Sequence, residues 1–211
     1  MGNVDEEILK QREAMEEFER QRFSKETIEK EKQQSIFDSE IEINKIPVRF
    51  AERKLIEDKI SIWMPEDFEA LSQETIDAIY LLGNKPDMVF GNSYLTFSVG
   101  FHYTEHKVPN EYMGDFLKIT KLILEKSGPK VKIMAEKVRQ TGRHTVSWLE
   151  LISHSVTDTV YNYMFFSSLE DRVLIGFINF NIKYQERYRP IAEEMIQSFR
   201  FPDDEKESGD E

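Results

Sequence analysis

The spacing of apolar residues divides most of the chain into short strands and helices. From about residue 46 it predicts two strands, IPVRFAERKL and KISIWMP, then a helix, ETIDAIYLL, ended by Gly83, and a further short strand, DMVF. The clearest alternation follows, where polar residues or glycine separate Leu95, Phe97, Val99, Phe101 and Tyr103. Because successive side chains of a strand point to opposite faces, this pattern predicts a half-buried strand with one apolar face.

Two helices and a run of strands are predicted in the second half of the chain. The first helix is capped by Asn110 and ends at Gly128. Its apolar stripe consists of Tyr112, Phe116, Ile119 and Ile123. Four segments with short turn sequences between them then predict an antiparallel meander: VKIMAEKV, HTVSWLELISHSV, VYNYMFFSS and RVLIGFINFN. The stripe of the last helix consists of Tyr184, Tyr188, Ile191, Met195 and Phe199.

Helices before, between and after antiparallel strands predict an α+β fold. We expect an α/β/α sandwich, in which helices cover both faces of a central, mostly antiparallel sheet. The near-continuous apolar runs YMFF and VLIGFINF support this, because a central strand buried on both sides need not alternate. Residues 35–202 are expected to form this single domain.

Charge separates the two ends of the chain from this domain. The 211 residues include 40 Asp and Glu against 28 Lys and Arg, a formal net charge of −12. Residues 1–34 are rich in good helix formers and predict a charged helical arm, either solvated, loosely docked or bound to a partner. Its apolar positions are too few for a self-sufficient coiled coil. Residues 203–211 have no apolar side chain and predict a disordered acidic tail.

Composition excludes several classes of protein. No stretch approaches the roughly 18 apolar residues of a membrane span, and the N-terminus lacks the apolar core of a secretory signal. The absence of cysteine excludes disulfides, thiolate metal sites and cysteine nucleophiles, and it fits a cytoplasmic location. The negative net charge argues against a nucleic-acid partner.

Several motifs of the domain resemble a known family. They are Met64-Pro65-Glu66-Asp67-Phe68, the run KPDMVFGN ending at Asn92, the strand YNYMFF from Tyr161, and the closing helix RPIAEEMIQSF. Over about residues 46–201 the chain is similar to bacterial PsbP-like proteins, which belong with DcrB, the photosystem protein PsbP and the Ran-GTPase release factor. The resemblance implies an α/β/α sandwich. It also implies an accessory or adaptor role, since these proteins share no catalytic motif that could be carried onto this chain.

One short motif could hold a metal. His102-Tyr103-Thr104-Glu105-His106 matches the H-x-x-E-H string of one class of zinc peptidases, which needs both histidines one turn apart on a helix. Here the string continues the predicted alternating strand, on which positions i and i+4 stand roughly 13 Å apart. One ion cannot bridge that distance, so we expect surface or hydrogen-bonded histidines.

The remaining candidates for chemistry have simpler explanations. Ser153 and His154 are strand neighbours and should point to opposite faces, with His154 a core or interface residue whose ring is hydrogen-bonded. The adjacent carboxylates of residues 66–67 and 170–171 fit turns. There is no nucleotide-binding or calcium-binding loop. The sequence therefore assigns no catalytic, metal or cofactor-binding residue, and no cofactor.

A local positive charge remains between Lys130 and Arg143. This segment has five basic residues against Glu136 alone, on a predicted strand and its turn. Lys130 and Lys132 should share one face of the strand, and Lys137 and Arg139 the other, unless a bulge intervenes. The segment is either a charged edge that prevents strand pairing, or a docking surface for an acidic partner or the acidic tail.

Together these observations predict a non-enzymatic binding or adaptor module with an unidentified protein partner. The partner would contact the N-terminal helix or the edge from Lys130 to Arg143. Two alternatives stay open, a metal-dependent hydrolase that uses His102 and His106, and self-association through the arm.

Overall fold

A computed structural model describes residues 34–43, 45–80, 85–92, 95–126, 130–154 and 159–202. The predicted helical arm, apart from Gln34, and the predicted tail lie outside the described residues. Within the described ranges, no helix is long and apolar enough to cross a membrane.

Seven strands form one sheet in the order β5-β6-β7-β11-β10-β9-β8, and every neighbouring pair is antiparallel. Their bounds are β5 Glu69–Ala70, β6 Met88–Gly91, β7 Phe97–Lys107, β8 Val131–Thr141, β9 His144–His154, β10 Thr159–Leu169 and β11 Arg172–Asn181. The predicted meander, β8 to β11, and the predicted antiparallel α+β organisation are confirmed.

Two short ribbons precede the sheet. The first pairs β1 (Ile41–Ile43) with β2 (Ile46–Val48), and the second pairs β3 (Phe50–Leu55) with β4 (Ile60–Pro65). Ile60, Ile62 and Met64 of β4 are fully buried in the main core, so this ribbon is part of the domain's packing.

Three helices complete the described fold: α1 (Gln73–Ile79), α2 (Met113–Lys126) and α3 (Gln185–Ser198). The Ser72 hydroxyl caps α1 by accepting a hydrogen bond from the Thr75 amide at 3.2 Å. The predicted capping role of Asn110 is wrong, because this residue lies within a 3₁₀ turn before α2. Its side chain instead donates to the Arg143 carbonyl and accepts from the Thr145 amide, which ties the start of α2 to the β8–β9 hairpin.

A hydrophobic cluster lies on each face of the sheet. On the α3 face, α3 packs against β4, β10 and β11, and the predicted stripe of α3 is buried, with Ile191 partly so. On the α2 face, α2 packs over β8, β9 and β10. The buried side chains there are Met113, Leu117, Leu149, Leu151, Phe166 and Val173. Consecutive residues serve the two clusters, since Phe165 of β10 packs on the α3 face and Phe166 on the α2 face.

Strand β7 confirms the predicted extended conformation from Phe97 on but is buried on both sides. Leu95, where the predicted strand begins, lies before β7 with a positive φ of 52°. Ser98 and Gly100 are buried together with Phe97, Val99 and Phe101, so the prediction of a single apolar face is wrong for this half of the strand. The reason is the ring of Phe177, which lies over Gly100 from β11, where a Cβ atom would come within 2.2 Å of it.

Candidate functional site

Helix α2 exposes a second apolar face. Tyr112, Ile119, Leu122 and Ile123 are each 54–59% exposed, and together we call them the outer stripe. The predicted stripe therefore does not cover the sheet; of its members only Phe116 packs inward, with its ring 5.4 Å from that of Phe166. Met113 and Leu117 make the main contact with the sheet instead.

Helical geometry places these residues on two different sides of α2. At 100° per residue, Ile119, Leu122 and Ile123 span about 100° of the helix surface, centred roughly 150° from the side that contains Met113, Leu117 and Leu124. The same arc also contains Asp115 and Lys126 near the two ends of the helix, so the apolar part of this second side lies in the middle of α2. Tyr112 lies in the 3₁₀ turn directly before α2. Contiguous exposed apolar patches of this kind mark contact surfaces.

The two histidines of the H-x-x-E-H string lie on strand β7 and do not face a common ion. His102 Nδ1 lies 3.2 Å from Asp87 Oδ2, and the same carboxylate oxygen accepts the Tyr103 amide at 2.6 Å. His106 is exposed. Among the described residues, no group of three or more His, Asp and Glu side chains could hold a metal ion.

The other candidates from the sequence are also separated. Ser153 Oγ accepts a hydrogen bond from Asn162 Nδ2, and the ring of His154 contacts Thr159 Oγ1 at 3.0 Å. His154 is exposed, so a position in the core is wrong, whereas its hydrogen-bonded ring is confirmed and an interface position stays a prediction. Both carboxylate pairs lie in turns, as predicted.

A bulge decides the arrangement of the basic edge strand. Between Ile133 and Ala135 the register of β8 shifts, so that Met134 is an extra residue. The bulge brings Lys132, Lys137 and Arg139 to the same side, opposite Ile152, Trp148 and Val146, which is the α3 face.

Part of this positive charge is used within the domain. Lys137 Nζ binds Glu193 Oε1 of α3 at 3.1 Å and lies over the Trp148 ring. Arg139 donates to the carbonyls of Ile196, Gln197 and Phe199 at 3.0–3.1 Å, which satisfies acceptors at the end of α3. These contacts anchor α3 to the edge strand.

A buried carboxylate on β9 escaped the sequence analysis. The side chain of Glu150 is 1% exposed and accepts hydrogen bonds from the Tyr161 hydroxyl and from Arg189 Nε at 2.6 Å. Arg189 is half exposed, so the pair connects the interior of the α3 face with the surface of α3. Burial and the bond to Glu150 raise the pKa of Tyr161. An acidic residue between apolar ones in a central strand, WLELI, was the available indication.

Next to this pair, two polar atoms are buried without a hydrogen-bond partner among the described residues, Tyr163 Oη and Trp148 Nε1. Burial raises the pKa of Tyr163, with Glu150 adding to the effect. The cluster therefore stabilises the neutral phenols, and its one strong ion pair holds α3 in place.

The fold has a counterpart among solved structures. It is similar to the solution structure of cyanobacterial PsbP (CyanoP) from Synechocystis sp. PCC 6803, with a TM-score of 0.53 and 8% identity, covering 72% of this chain and 92% of that one. The chain has a PsbP-like fold. A protein of unknown function from Pseudomonas aeruginosa, PA94, matches with a TM-score of 0.42 and 12% identity, covering 71% of this chain and 94% of that one.

Sequence comparisons add no family. No known family model matches the chain, and no curated protein matches it. The PsbP-like likeness thus defines the architecture, and at 8% identity it carries no information on activity.

Proposed function

We propose that this protein is a non-catalytic binding module that docks a protein partner on the outer stripe of α2. The observation that supports this proposal is the second apolar face of α2, in which four large side chains remain more than half exposed while the opposite side of the helix covers the sheet. Such a surface is suited to burial against another apolar surface.

The charges around the stripe indicate the chemistry of the partner. From Asn110 to Lys126 the chain has three acidic and three basic side chains, although the whole protein carries −12. Lys118 pairs with Asp115, and Lys121 pairs with Glu136 of β8. The surface is therefore close to neutral, and it favours an apolar helix or groove of another protein over a highly charged partner.

The energy of the contact is modest. Complete burial of one large apolar side chain contributes about 1.5–3 kcal/mol, so four half-exposed ones contribute about 1 kcal/mol each. A micromolar complex needs about 8 kcal/mol. The partner must therefore contact further residues, and the predicted N-terminal arm is our proposal for the second contact.

The non-catalytic part of the proposal has separate support. The residues that suggested a metal-dependent hydrolase, His102 and His106, lie on a strand, and the described residues contain no group of His, Asp and Glu that could hold a metal ion. Self-association through the arm stays an alternative. A cytoplasmic location, in keeping with the absence of cysteine, belongs to the same proposal.

The test replaces two residues of the outer stripe, in the double variant Ile119→Glu with Leu122→Glu. The matched control is Ile46→Glu with Ile79→Glu, which changes two isoleucines of similar exposure, 51% and 48%, elsewhere on the surface. Both variants should keep the thermal midpoint of the wild type within a few degrees. Proteins that co-purify from a native extract are then purified and titrated against all three forms.

The stripe variant should bind its partner at least about tenfold more weakly than wild type, a loss of about 1.4 kcal/mol, whereas the control should bind like wild type. Equal affinity of the stripe variant and the control for every purified binder would overturn the proposal.

A further inference from the structure

The described chain ends beside the basic edge of the sheet. The ring of Phe201 stacks on His144 at the start of β9, with centroids 3.6 Å apart and an interplanar angle of 14°. The amide and carbonyl of Arg200 pair with Ser61 of β4, which fixes the direction of the last residues. Pro202 therefore leaves the domain at the β8–β9 hairpin, next to Arg139 and Arg143.

Cations surround this exit point. Arg139 binds the carbonyls at the end of α3. Burial, and to a lesser extent the neighbouring charge of Arg200, lowers the pKa of Arg139. Arg143 is exposed in the hairpin turn. A carboxylate at this place would be stabilised by several positive charges at once.

The positive charge continues along the edge strand. Because of the bulge at Met134, Lys132 lies on the same side of β8 as Lys137 and Arg139. Lys130 and Lys132 are exposed and make no ion pair with any described residue. Strand β8 is at the end of the sheet order, so its outer backbone groups have no neighbouring strand within the described part of the chain.

The segment that follows Pro202 has the complementary charge and sufficient length. Residues 203–211, DDEKESGDE, contain six acidic side chains and one basic side chain. Nine extended residues span about 30 Å, and the seven residue steps from Arg139 back to Lys132 cover about 23 Å. The segment has no apolar side chain, so its contact with the domain must be electrostatic.

We propose that residues 203–211 fold back along β8 and bind its basic edge, from Arg143 to Lys132. The bound segment covers the open strand against pairing with other chains, and it competes with any external acidic partner for the same surface. An external partner must therefore displace the segment, so the bound segment lowers the affinity of this edge for that partner.

A spin label tests the proposal in the full-length protein. Because the chain has no cysteine, Ser208→Cys gives a single attachment site for a nitroxide. The amide signals of Lys132 and Lys137 are measured by NMR with the label oxidised and reduced. Signals of residues 142–144 lie near the exit point in any case and do not decide the question.

Binding should reduce the signals of Lys132 and Lys137 by at least about twofold at low salt, and about 1 M salt, where the Debye length is about 3 Å, should restore them. The same label is then placed in a chain with Asp203→Asn, Asp204→Asn, Glu205→Gln and Glu207→Gln, which keeps the tether length. Here the reduction should disappear.

A surface variant provides the second control. Lys130→Glu with Lys132→Glu should also abolish the effect on Lys137, whereas Lys54→Glu, an exposed lysine on β3, should leave it unchanged. Broadening that persists with the four-substituted segment, or unaffected Lys132 and Lys137 signals at low salt, would overturn the proposal. Binding of the arm or another chain would then have to explain the charged edge.

Discussion

Two glycines in the sheet allow aromatic rings to lie directly on the backbone of the neighbouring strand. A Cβ atom at Gly176 would come within 2.0 Å of the Phe165 ring, and one at Gly100 within 2.2 Å of the Phe177 ring. The two rings belong to opposite faces of the sheet. Each glycine is therefore required by a cross-strand ring, and not by a positive φ angle.

We expect Gly176→Ala to destabilise the protein by about 1–3 kcal/mol, because the added methyl group overpacks the α3 face. Urea unfolding followed by circular dichroism measures the change. The matched control is Gly114→Ala in the first turn of α2, where a Cβ atom meets nothing within 4 Å. That variant should gain up to about 0.5–1 kcal/mol from helix propensity. A neutral effect at Gly176 would contradict the described position of Phe165.

Also at the residue scale, the sequence shows which residue types lie in each strand but not which side chains they contact. The sequence shows a glycine among bulky residues in VLIGFINF, but only the register of β10 and β11 identifies Phe165 as the ring that occupies its place. Glu150 is similar, because its partner Arg189 is 39 residues away on a different element. Such long-range pairs leave no periodic pattern in the sequence.

At the scale of elements, an ion pair links two hairpin turns. Lys59 Nζ, at the β3–β4 turn, lies 2.8 Å from Glu170 Oε1 in the β10–β11 turn. The hydrogen bond from Lys59 lowers the pKa of Glu170, and the Tyr103 hydroxyl adds a weaker contact. The β3–β4 ribbon is thus attached to the main sheet by a surface charge as well as by the buried side chains of β4.

This pair predicts a pH dependence. Since the pKa of Glu170 is lower in the folded state, its contribution to stability is present above the unfolded value of about 4.3 and is lost as the pH falls through the folded value. The stability difference between wild type and Glu170→Gln should therefore be larger at about pH 6 than at about pH 3. In a Lys59→Gln background, most of this pH dependence should disappear. Urea titrations of the four proteins provide the measurement, and a difference that stays constant with pH would contradict the assignment.

Helix α2 shows why an element can be predicted correctly and oriented wrongly. Met113 and Leu117 form one apolar side of α2, and the outer stripe forms another. The spacing of apolar residues therefore fits two possible orientations of the helix on the sheet. Only the side with Met113 and Leu117 packs on the sheet. In α3 the apolar residues form a single stripe, and its burial was predicted correctly.

At the scale of the whole molecule, the two faces of the sheet share their strands and should unfold together. Phe165 and Phe166 are neighbours in β10 but belong to different clusters, so loss of one cluster disrupts the strand that supports the other. Both tryptophans, Trp63 and Trp148, pack on the α3 face. Their fluorescence therefore reports on the face opposite to α2.

We expect Leu117→Ala, on the α2 face, to lower the unfolding midpoint seen by tryptophan fluorescence. The residue is 2% exposed, and such truncations cost about 2–5 kcal/mol. Leu122→Ala, five residues further along the same helix and 54% exposed, should change stability by less than about 0.5 kcal/mol. An unchanged fluorescence midpoint in Leu117→Ala, with a separate early transition in circular dichroism, would show that the faces unfold independently.

The architecture of the domain was more predictable than its surface. Strand alternation, short turns and the spacing of α3 predicted the antiparallel meander and its helices, because these patterns are local. The order β7-β11-β10, in which the last strand inserts beside β7, depends on contacts about 70 residues apart and has no local pattern. The outer stripe is likewise defined only by what the sheet leaves uncovered.

The extra residue at Met134 has a consequence for how relatives of this protein should be compared. Loss of that single codon would turn the first part of β8 over and carry Lys132 to the opposite side, with the overall composition almost unchanged. Two orthologues of nearly identical sequence would then display their positive charge in different places. An alignment that places this one-residue gap in the nearest loop would treat the two proteins as equivalent. The position of the gap is therefore as informative as the conservation of the lysines.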